Sequence, residues 1–269
     1  MIDIDKLSDS VPSYTETYMG SDGLLHCLEC GDPRETVIQL PWGDERTVRC
    51  ICKCMAKELN ATAERARREE LERNRRICFN GSKMMECTFD TSEMTEQLGM
   101  AERYVKNFND FRKQGKGLIL YGNVGTGKSH IAACIANALI DEGYKVLMTN
   151  FATMVNILQS SFDGRQEYIN SLNRYTLLIL DDLGAERKSE YMQEQVFNII
   201  DARYRSGLPM IITTNLTSEE LKKPSDIGNG RIYDRILEKC HPIGVNGQSI
   251  RRQNLKADFG QMQMILKGD

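Results

Sequence analysis

One octapeptide restricts the possible folds of this chain more than any other segment. Residues 122–129 read Gly-Asn-Val-Gly-Thr-Gly-Lys-Ser and satisfy the pattern Gly-x-x-x-x-Gly-Lys-Ser/Thr. An apolar run, residues 118–121, precedes the octapeptide, and a helix-forming segment follows it, as the pattern requires. The alternative is a chance glycine-rich turn between a strand and a helix. The segment therefore predicts a strand, a phosphate-binding loop and a helix in succession.

The chemistry of this loop follows from its residue types. Glycines allow successive backbone N–H groups to point inward, and the following helix presents its positive end to the same place. Lys128 is expected to neutralise the β- and γ-phosphates, and the Ser129 hydroxyl to hold Mg²⁺. The predicted nucleotide contacts are Gly122, Asn123, Val124, Gly125, Thr126, Gly127, Lys128 and Ser129.

Short apolar runs alternate with helical segments from about residue 88 onward, which is typical of a parallel α/β sheet. Strands are expected at residues 117–121, 145–149, 176–180, 209–213 and 241–245. Helices are expected at residues 128–142, 151–160, 191–205 and 231–238.

The apolar run at residues 177–180 ends in two carboxylates, Asp181 and Asp182. In P-loop enzymes, an acid at the end of the strand beside the phosphate loop reaches the Mg²⁺ shell. Asp181 is therefore the predicted magnesium residue. The alternative is that both aspartates simply begin a loop, since Asp favours turns.

Polar and basic residues later in the chain suit a role in phosphoryl transfer. Asn215 follows the next apolar run and is the candidate sensor of the γ-phosphate, with a turn-forming Asn as the alternative.

Arg231 and Arg235 lie four residues apart on one helix face. Arg235, and as second choice Arg231, is expected to reach nucleotide in a neighbouring subunit. The alternative is a surface ion pair with Asp234 or Glu238.

Five segments together resemble, in order and spacing, the DnaC/DnaI/IstB-like AAA+ ATPases. They are GNVGTGKSH at 122–130, LLILDDLGAE at 177–186, TTN at 213–215, RIYDRI at 231–236 and GQSIR at 247–251. The resemblance covers about two thirds of the chain. It implies a three-layer AAA+ domain with a central five-stranded parallel sheet and no full lid, binding ATP or ADP.

The resemblance also assigns further residues to the nucleotide site. His130 and Arg251 join the expected nucleotide contacts, Arg251 as a sensor within the same chain. Asp182 stands where most AAA+ proteins carry the glutamate that orients the attacking water. The side chain is one methylene shorter, so we expect slow, switch-like ATP hydrolysis, with Glu186 as a possible substitute.

The partners implied by the resemblance are a replicative DNA helicase, single-stranded DNA and further copies of the chain. The expected activity is ATP-dependent loading of the helicase onto single-stranded DNA. A transposition helper of the IstB type is the alternative within the group. A zinc-dependent adaptor that binds ATP only as a structural ligand is a third hypothesis.

Five of the nine cysteines lie within residues 27–54, as Cys-x-x-Cys at 27–30 and Cys-x-Cys-x-Cys at 50–54. Close cysteine pairs of this kind suit a tetrahedral Zn²⁺ site, whose binding energy would fold a module with little apolar content. Cys50 is the first substitute among these cysteines, and His26 is a weaker alternative. The predicted ligands, chosen for likeness to zinc-bearing loaders, are Cys27, Cys30, Cys52 and Cys54.

These observations predict three parts: residues 1–54 as a zinc-binding, helicase-interacting module, residues 55–87 as a linker helix and connector, and residues 88–269 as the AAA+ domain. Residues 1–24 contain chain breakers and are expected to be weakly ordered. The charged helix at 55–76 is expected to be solvated and laced with ion pairs, or alternatively to touch DNA.

The composition narrows the class further. A net charge of -3 argues against a globally basic nucleic-acid binder but leaves room for a basic channel. The sequence has no export signal and no apolar run of membrane-spanning length, so a cytoplasmic location is expected, with no membrane partner.

Single-stranded DNA is expected to meet aromatic and basic residues lining the channel of a subunit ring. Phe162 and Arg165 fit that chemistry, as do Lys188, Ser189 and Tyr191. The alternative is that both aromatic rings pack in the core.

Overall fold

The computed structural model describes residues 16–160, 164–184, 189–224 and 226–249, together with the single positions Phe259, Met262, Leu266 and Lys267. The chain divides into two compact units, the first ending at Glu70 and the second beginning at Leu71. Within the described ranges, we find no helix that is both long and apolar enough to cross a bilayer.

The first unit contains two antiparallel hairpins. β1 (Thr17–Met19) pairs with β2 (Leu25–Cys27), and β3 (Glu35–Gln39) pairs with β4 (Glu45–Arg49). Strand β1 lies in the segment expected to be weakly ordered, so that expectation is wrong for residues 17–19. The strand is exposed along its length and is held by pairing with β2, which its own residue pattern does not reveal.

A long helix, α1 (Lys53–Phe79), follows the hairpins and covers the charged segment. Residues 57–70 are all exposed, so the expectation of a solvated helix is correct. The expected ion-pair network is sparse, because Arg76–Glu72 at 3.8 Å is the one ion pair formed within this helix. The exposed part of α1 is therefore stabilised by the helix propensity of its residues rather than by ion pairs between side chains.

After the end of α1, the second unit contains α2 (Glu96–Lys106) and α3 (Phe108–Gln114) and continues into a five-stranded sheet. Its strands are β5 (Gly117–Tyr121), β6 (Val146–Asn150), β7 (Leu177–Leu183), β8 (Met210–Thr214) and β9 (Cys240–Gly244). All neighbouring strands are parallel, in the order β6-β7-β8-β5-β9.

Helices connect the strands and cover both faces of the sheet. They are α4 (Lys128–Asp141), α5 (Phe151–Ser160), α6 (Arg165–Ser171), α7 (Glu190–Ser206), α8 (Ser218–Lys222) and α9 (Ile227–Lys239). One core packs α2, α3 and α4 against Leu118, Leu120 and Ile179. A second core packs α5, α7 and α9 against Ile119, Leu178 and Ile212. The three-layer α/β fold with a five-stranded parallel sheet is thus confirmed.

The strand order determines where a ligand can bind. The chain passes from β5 to β6 across the intervening strands β8 and β7, so the loop after β5 opens above the ends of those two strands. In open parallel sheets, such a point at the carboxyl edge is where ligands bind. The octapeptide and the two aspartates meet there.

Candidate functional site

The loop after β5 adopts a backbone that its glycines make possible. Gly122, Gly125 and Gly127 have positive φ angles of 137°, 83° and 96°. A Cβ atom on Gly122 would lie 2.5 Å from the Val245 carbonyl oxygen, and backbone atoms cannot move aside as a flexible side chain can. Glycine is therefore needed at position 122 for both conformation and space.

Lys128 opens helix α4 and is buried in the loop. Its Nζ donates to the carbonyl oxygens of Gly122 at 2.8 Å and Asn123 at 2.7 Å. It also donates to Asn215 Oδ1 at 2.8 Å, at the end of β8. The ammonium group is thus held at the mouth of the loop, beside the candidate sensor.

Ser129 and Asp181 lie together as a magnesium site requires. Ser129 Oγ donates to Asp181 Oδ1 at 2.7 Å. Thr213 Oγ1 donates to the same carboxylate oxygen at 2.6 Å and accepts from the Asp182 backbone N–H at 2.9 Å. A hydroxyl and a carboxylate are hard oxygen ligands of the kind Mg²⁺ prefers.

Asp182 and Asn215 form the outer part of the same cluster. Asn215 Nδ2 donates to Asp182 Oδ1 at 2.8 Å, and both side chains are exposed. Asp182 has φ 63°, a left-handed conformation that Asp tolerates better than most residues. The structure therefore brings the predicted residues Lys128, Asp181, Asp182 and Asn215 into one hydrogen-bonded group.

Thr213 is the functional candidate that sequence reasoning missed. It is 1% exposed, yet its hydroxyl links the two aspartates of β7. The available signal was a pair of threonines, Thr213 and Thr214, between an apolar run and Asn215.

His130 lies next to the loop but is directed away from it. Its Nε2 is 2.7 Å from Ser92 Oγ, and that hydroxyl is also 3.7 Å from the Cys134 thiol. Burial lowers the pKa of His130, which favours the neutral ring. The structure does not bring this side chain together with Lys128 and Asp181.

The two arginines of α9 have different surroundings. Arg235 Nε is 3.0 Å from Asp201 Oδ1, and its guanidinium lies 4.7 Å from the centre of the Phe197 ring. Its NH1 group also donates to the Arg231 carbonyl oxygen at 3.1 Å. Arg231 itself is exposed, and no described side chain bonds its guanidinium. Arg235 is thus tied within its own subunit by Asp201, whereas Arg231 projects into solvent.

Four cysteine thiols converge in the first unit. The Sγ atoms of Cys27, Cys30, Cys52 and Cys54 all lie within 4.8 Å of one another. Cys54 Sγ lies 3.4 Å from Cys27 Sγ and 3.2 Å from Cys52 Sγ. Four sulfurs around one zinc ion at about 2.3 Å would be separated by about 3.8 Å, so the cluster fits tetrahedral coordination.

The two alternative ligands are engaged elsewhere. The Cys50 thiol donates to the Pro33 carbonyl oxygen at 3.2 Å. The His26 ring bonds the Gly31 carbonyl oxygen at 3.0 Å and the Asp22 carboxylate at 2.9 Å. The geometry therefore favours the four cysteines chosen from the sequence.

Two of the predicted DNA contacts lie at the start of α7. Ser189 caps this helix by accepting from the Met192 backbone N–H at 3.2 Å. The Tyr191 ring is half-buried and lies 5.7 Å from the Arg165 guanidinium. The Tyr191 hydroxyl is buried without a hydrogen-bond partner among the described residues. Four other positions named from the sequence lie outside the described residues: Phe162, Glu186, Lys188 and Arg251.

The chain resembles known proteins along much of its length. It matches the family model described as IstB-like ATP binding protein over residues 53–257. It is 29% identical to the replicative helicase loader DnaI of Bacillus subtilis over 160 residues, which are 55% of this chain and 51% of that protein. It is 33% identical over 145 residues to a Sinorhizobium fredii protein named as an insertion sequence ATP-binding protein, covering 52% and 48% of the two chains. The chain spans about half the length of these curated relatives.

A solved structure agrees with the fold described above. The crystal structure of the DnaC helicase loader matches with a TM-score of 0.55 at 25% identity, covering 62% of this chain and 100% of that chain. Because the family model extends over more than half of the sequence, this chain belongs to the IstB-like ATP-binding proteins and contains an IstB/DnaC-like AAA+ domain.

Proposed function

We propose that this chain is an ATP-dependent loader that binds a replicative DNA helicase and places it on single-stranded DNA at the initiation of replication. The observation that carries this proposal is the likeness to two proteins named as helicase loaders, in sequence and in structure. The cysteine cluster favours the loader function over the other functions in the family, because it supplies a second module that can bind a partner protein.

ATP binding is expected to exchange the internal partners of Lys128. In the structure, its ammonium group is satisfied by two loop carbonyls and by Asn215. Phosphate oxygens would replace the Asn215 contact with a stronger, charge-assisted one. Asn215 would then be released to orient towards the γ-phosphate. The hydrogen bonds of Asn215, at the end of β8, would therefore depend on whether the γ-phosphate is present.

The two aspartates of β7 would have different roles, one in binding Mg²⁺ and one in orienting water. Ser129 and Asp181 would hold Mg²⁺, which when bound neutralises charge on the phosphates. Asp182 is the candidate base that orients the attacking water. Its short side chain is engaged by Asn215, which supports slow hydrolysis and a switch-like use of ATP.

Assembly of subunits would place an arginine near the neighbour's phosphates. Arg235 is the first candidate from the sequence, and reaching a neighbour would require it to leave Asp201. Arg231 needs no such rearrangement, since it is already exposed. Either guanidinium would stabilise charge that develops during phosphoryl transfer.

The zinc module and the DNA contacts complete the proposal. We assign Zn²⁺ to Cys27, Cys30, Cys52 and Cys54, where the metal would hold the hairpins together.

Single-stranded DNA would meet the region around Arg165 and Tyr191, where a cation and an aromatic ring lie side by side.

Light scattering of the chain mixed with the host or phage replicative helicase tests the proposal. We expect a complex of defined mass in the presence of ATP, and transfer of the helicase to a single-stranded DNA circle. Lys128→Ala should abolish transfer, because it removes the charge that holds the phosphates. Absence of a complex with and without ATP would reject the loader function. Full binding and loading by Lys128→Ala would instead support an adaptor that uses ATP only as a structural ligand.

A transposition helper is the second candidate, favoured by the Sinorhizobium fredii relative and by the family description. Under that function the chain would stimulate strand transfer by a transposase encoded beside it. Strand-transfer assays with and without the chain separate the two functions, since a loader leaves the yield unchanged.

A further inference from the structure

The single tryptophan of the chain lies at the tip of the β3–β4 hairpin. The turn is closed by two backbone hydrogen bonds, Leu40 N–H to the Asp44 carbonyl at 2.8 Å and Gly43 N–H to the Leu40 carbonyl at 2.9 Å. Gly43 has φ 96°, which permits the tight reversal. Trp42 is 66% exposed at this apex. A large aromatic surface left in water is the kind of residue that anchors a protein interface.

The two ends of the hairpin are bonded to each other, and Arg34 fixes them to the cysteine cluster. Arg34 directly precedes β3 and is buried, with its NH1 group 3.8 Å from Cys52 Sγ and 2.9 Å from Met55 Sδ. Cys50 directly follows β4, and its N–H donates to the Arg34 carbonyl at 2.8 Å. The tip is therefore presented by a rigid base, which reduces the entropy lost on binding.

Little of the apolar surface in this unit is used for its own core. Among its described residues, the buried apolar core consists of Cys27, Cys52 and Met55. Val37 of β3 is 48% exposed and lies opposite Thr47 of β4. We call residues 40–44 together with Val37 the tip surface. Its apolar side chains Trp42 and Val37 stay exposed after folding.

The net charge of the first unit, together with the side chains beside Trp42, indicates which partner the tip surface suits. Residues 16–54 carry seven carboxylates and four Lys or Arg side chains, and a zinc ion with four thiolates would add two negative charges. Asp44 and Glu45 lie two and three residues after Trp42 and are exposed, so two carboxylates accompany one arginine, Arg46, on this side of the turn. Single-stranded DNA binding depends on neutralising phosphates with basic side chains, so this surface is poorly suited to it.

We infer that the tip surface inserts Trp42 into an apolar pocket, bordered by basic side chains, on a partner protein. The inference rests on the proposed function, under which that partner is the replicative helicase. It adds the contacting residues and the chemistry that the partner's pocket must have.

The single tryptophan allows a direct test in the full-length chain. Incorporation of 5-fluorotryptophan gives one fluorine resonance, which belongs to Trp42. We expect the resonance to shift or broaden when unlabelled helicase is added, and to stay unchanged with a single-stranded oligonucleotide. An unchanged resonance in a helicase complex that light scattering detects would overturn the inference and leave the loader function standing. A response to the oligonucleotide alone would also overturn it. A wild-type chain that forms no complex would overturn both.

Matched substitutions give the energetic test. Trp42→Ala should weaken helicase binding by about 30-fold, as loss of an aromatic anchor does. Met19→Ala is the control, since Met19 is 64% exposed in the same unit but lies on the β1–β2 hairpin. Binding by the control should stay within about twofold of wild type, as for residues outside an anchor.

Charge reversal tests whether the partner's pocket is bordered by basic side chains. Asp44→Lys with Glu45→Lys should weaken helicase binding by about tenfold or more, because like charges would meet at the pocket rim. Stronger helicase binding by this variant, or equal binding by Trp42→Ala and Met19→Ala, would refute the inference. Zinc content and thermal melting of each variant show that the unit remains folded.

Discussion

Asp182 combines an unusual backbone with a short side chain, and both features bear on catalysis. Its φ of 63° departs from regular strand geometry within β7, and its carboxylate accepts a hydrogen bond from Asn215 Nδ2. Lengthening the side chain by Asp182→Glu should raise the rate of ATP hydrolysis by about tenfold, since a positioned base contributes at least that much. Steady-state phosphate release measures the rate, and the Kd for ATP should stay unchanged because Lys128 and Ser129 are intact.

The matched control for that prediction is Asp182→Asn, which keeps the side-chain length and removes the base. We expect this variant to bind ATP normally and to hydrolyse it more slowly than wild type. Equal or slower hydrolysis by Asp182→Glu would contradict the role we assign to side-chain length. The sequence indicated the residue type at this position, whereas the positive φ and the bond from Asn215 depend on the neighbouring strand.

Among the elements, helix α7 contributes a buried charge that stabilises the sheet. Arg203 is 1% exposed and donates to the carbonyl oxygens of Pro209, Leu172, Tyr175 and Thr176. Burial lowers the pKa of Arg203 to about 10, so the guanidinium remains charged at neutral pH. Its five donors thus satisfy the backbone that enters β7 and β8.

Arg203→Met should lower the free energy of unfolding by about 3 kcal/mol, because four buried or half-buried carbonyl groups lose a charged donor. Arg205→Met, two residues along the same helix, is the control. Arg205 is 72% exposed and pairs with Asp201 at 2.9 Å, so its loss should cost about 0.5 kcal/mol. Urea denaturation of the two variants gives the comparison. Similar losses for both would show that the buried contacts of Arg203 contribute little.

The strands of the sheet were predictable because each is an apolar run between breakers. β5, β6, β8 and β9 lie within one residue of their predicted bounds, whereas β7 continues to Leu183. The register shift after Leu180 lets β7 pair with β8 beyond the two aspartates, where no apolar pattern remains. The hairpins of the first unit were missed, because their short strands are mostly exposed and lack alternation.

Across the whole molecule, two units depend on different sources of stability. The second unit has two large apolar cores, one on each face of its sheet. In the described part of the first unit the buried core has three residues, two of which are expected zinc ligands. Metal binding supplies folding free energy where apolar burial is small. Loss of zinc should therefore unfold the first unit and leave the nucleotide site intact.

Cys27→Ser combined with Cys30→Ser should abolish zinc binding, because two of the four ligands are lost. We expect the zinc content to fall from about one ion per chain to none, and helicase binding to disappear with it. The Kd for ATP should stay within about twofold of wild type, since the residues predicted to contact the phosphates belong to the other unit. Cys50→Ser is the control: its thiol bonds the Pro33 carbonyl outside the cluster, so this variant should retain zinc. Metal analysis of the purified variants checks the ligands, and loss of zinc from Cys50→Ser or its retention by the double variant would contradict the assignment.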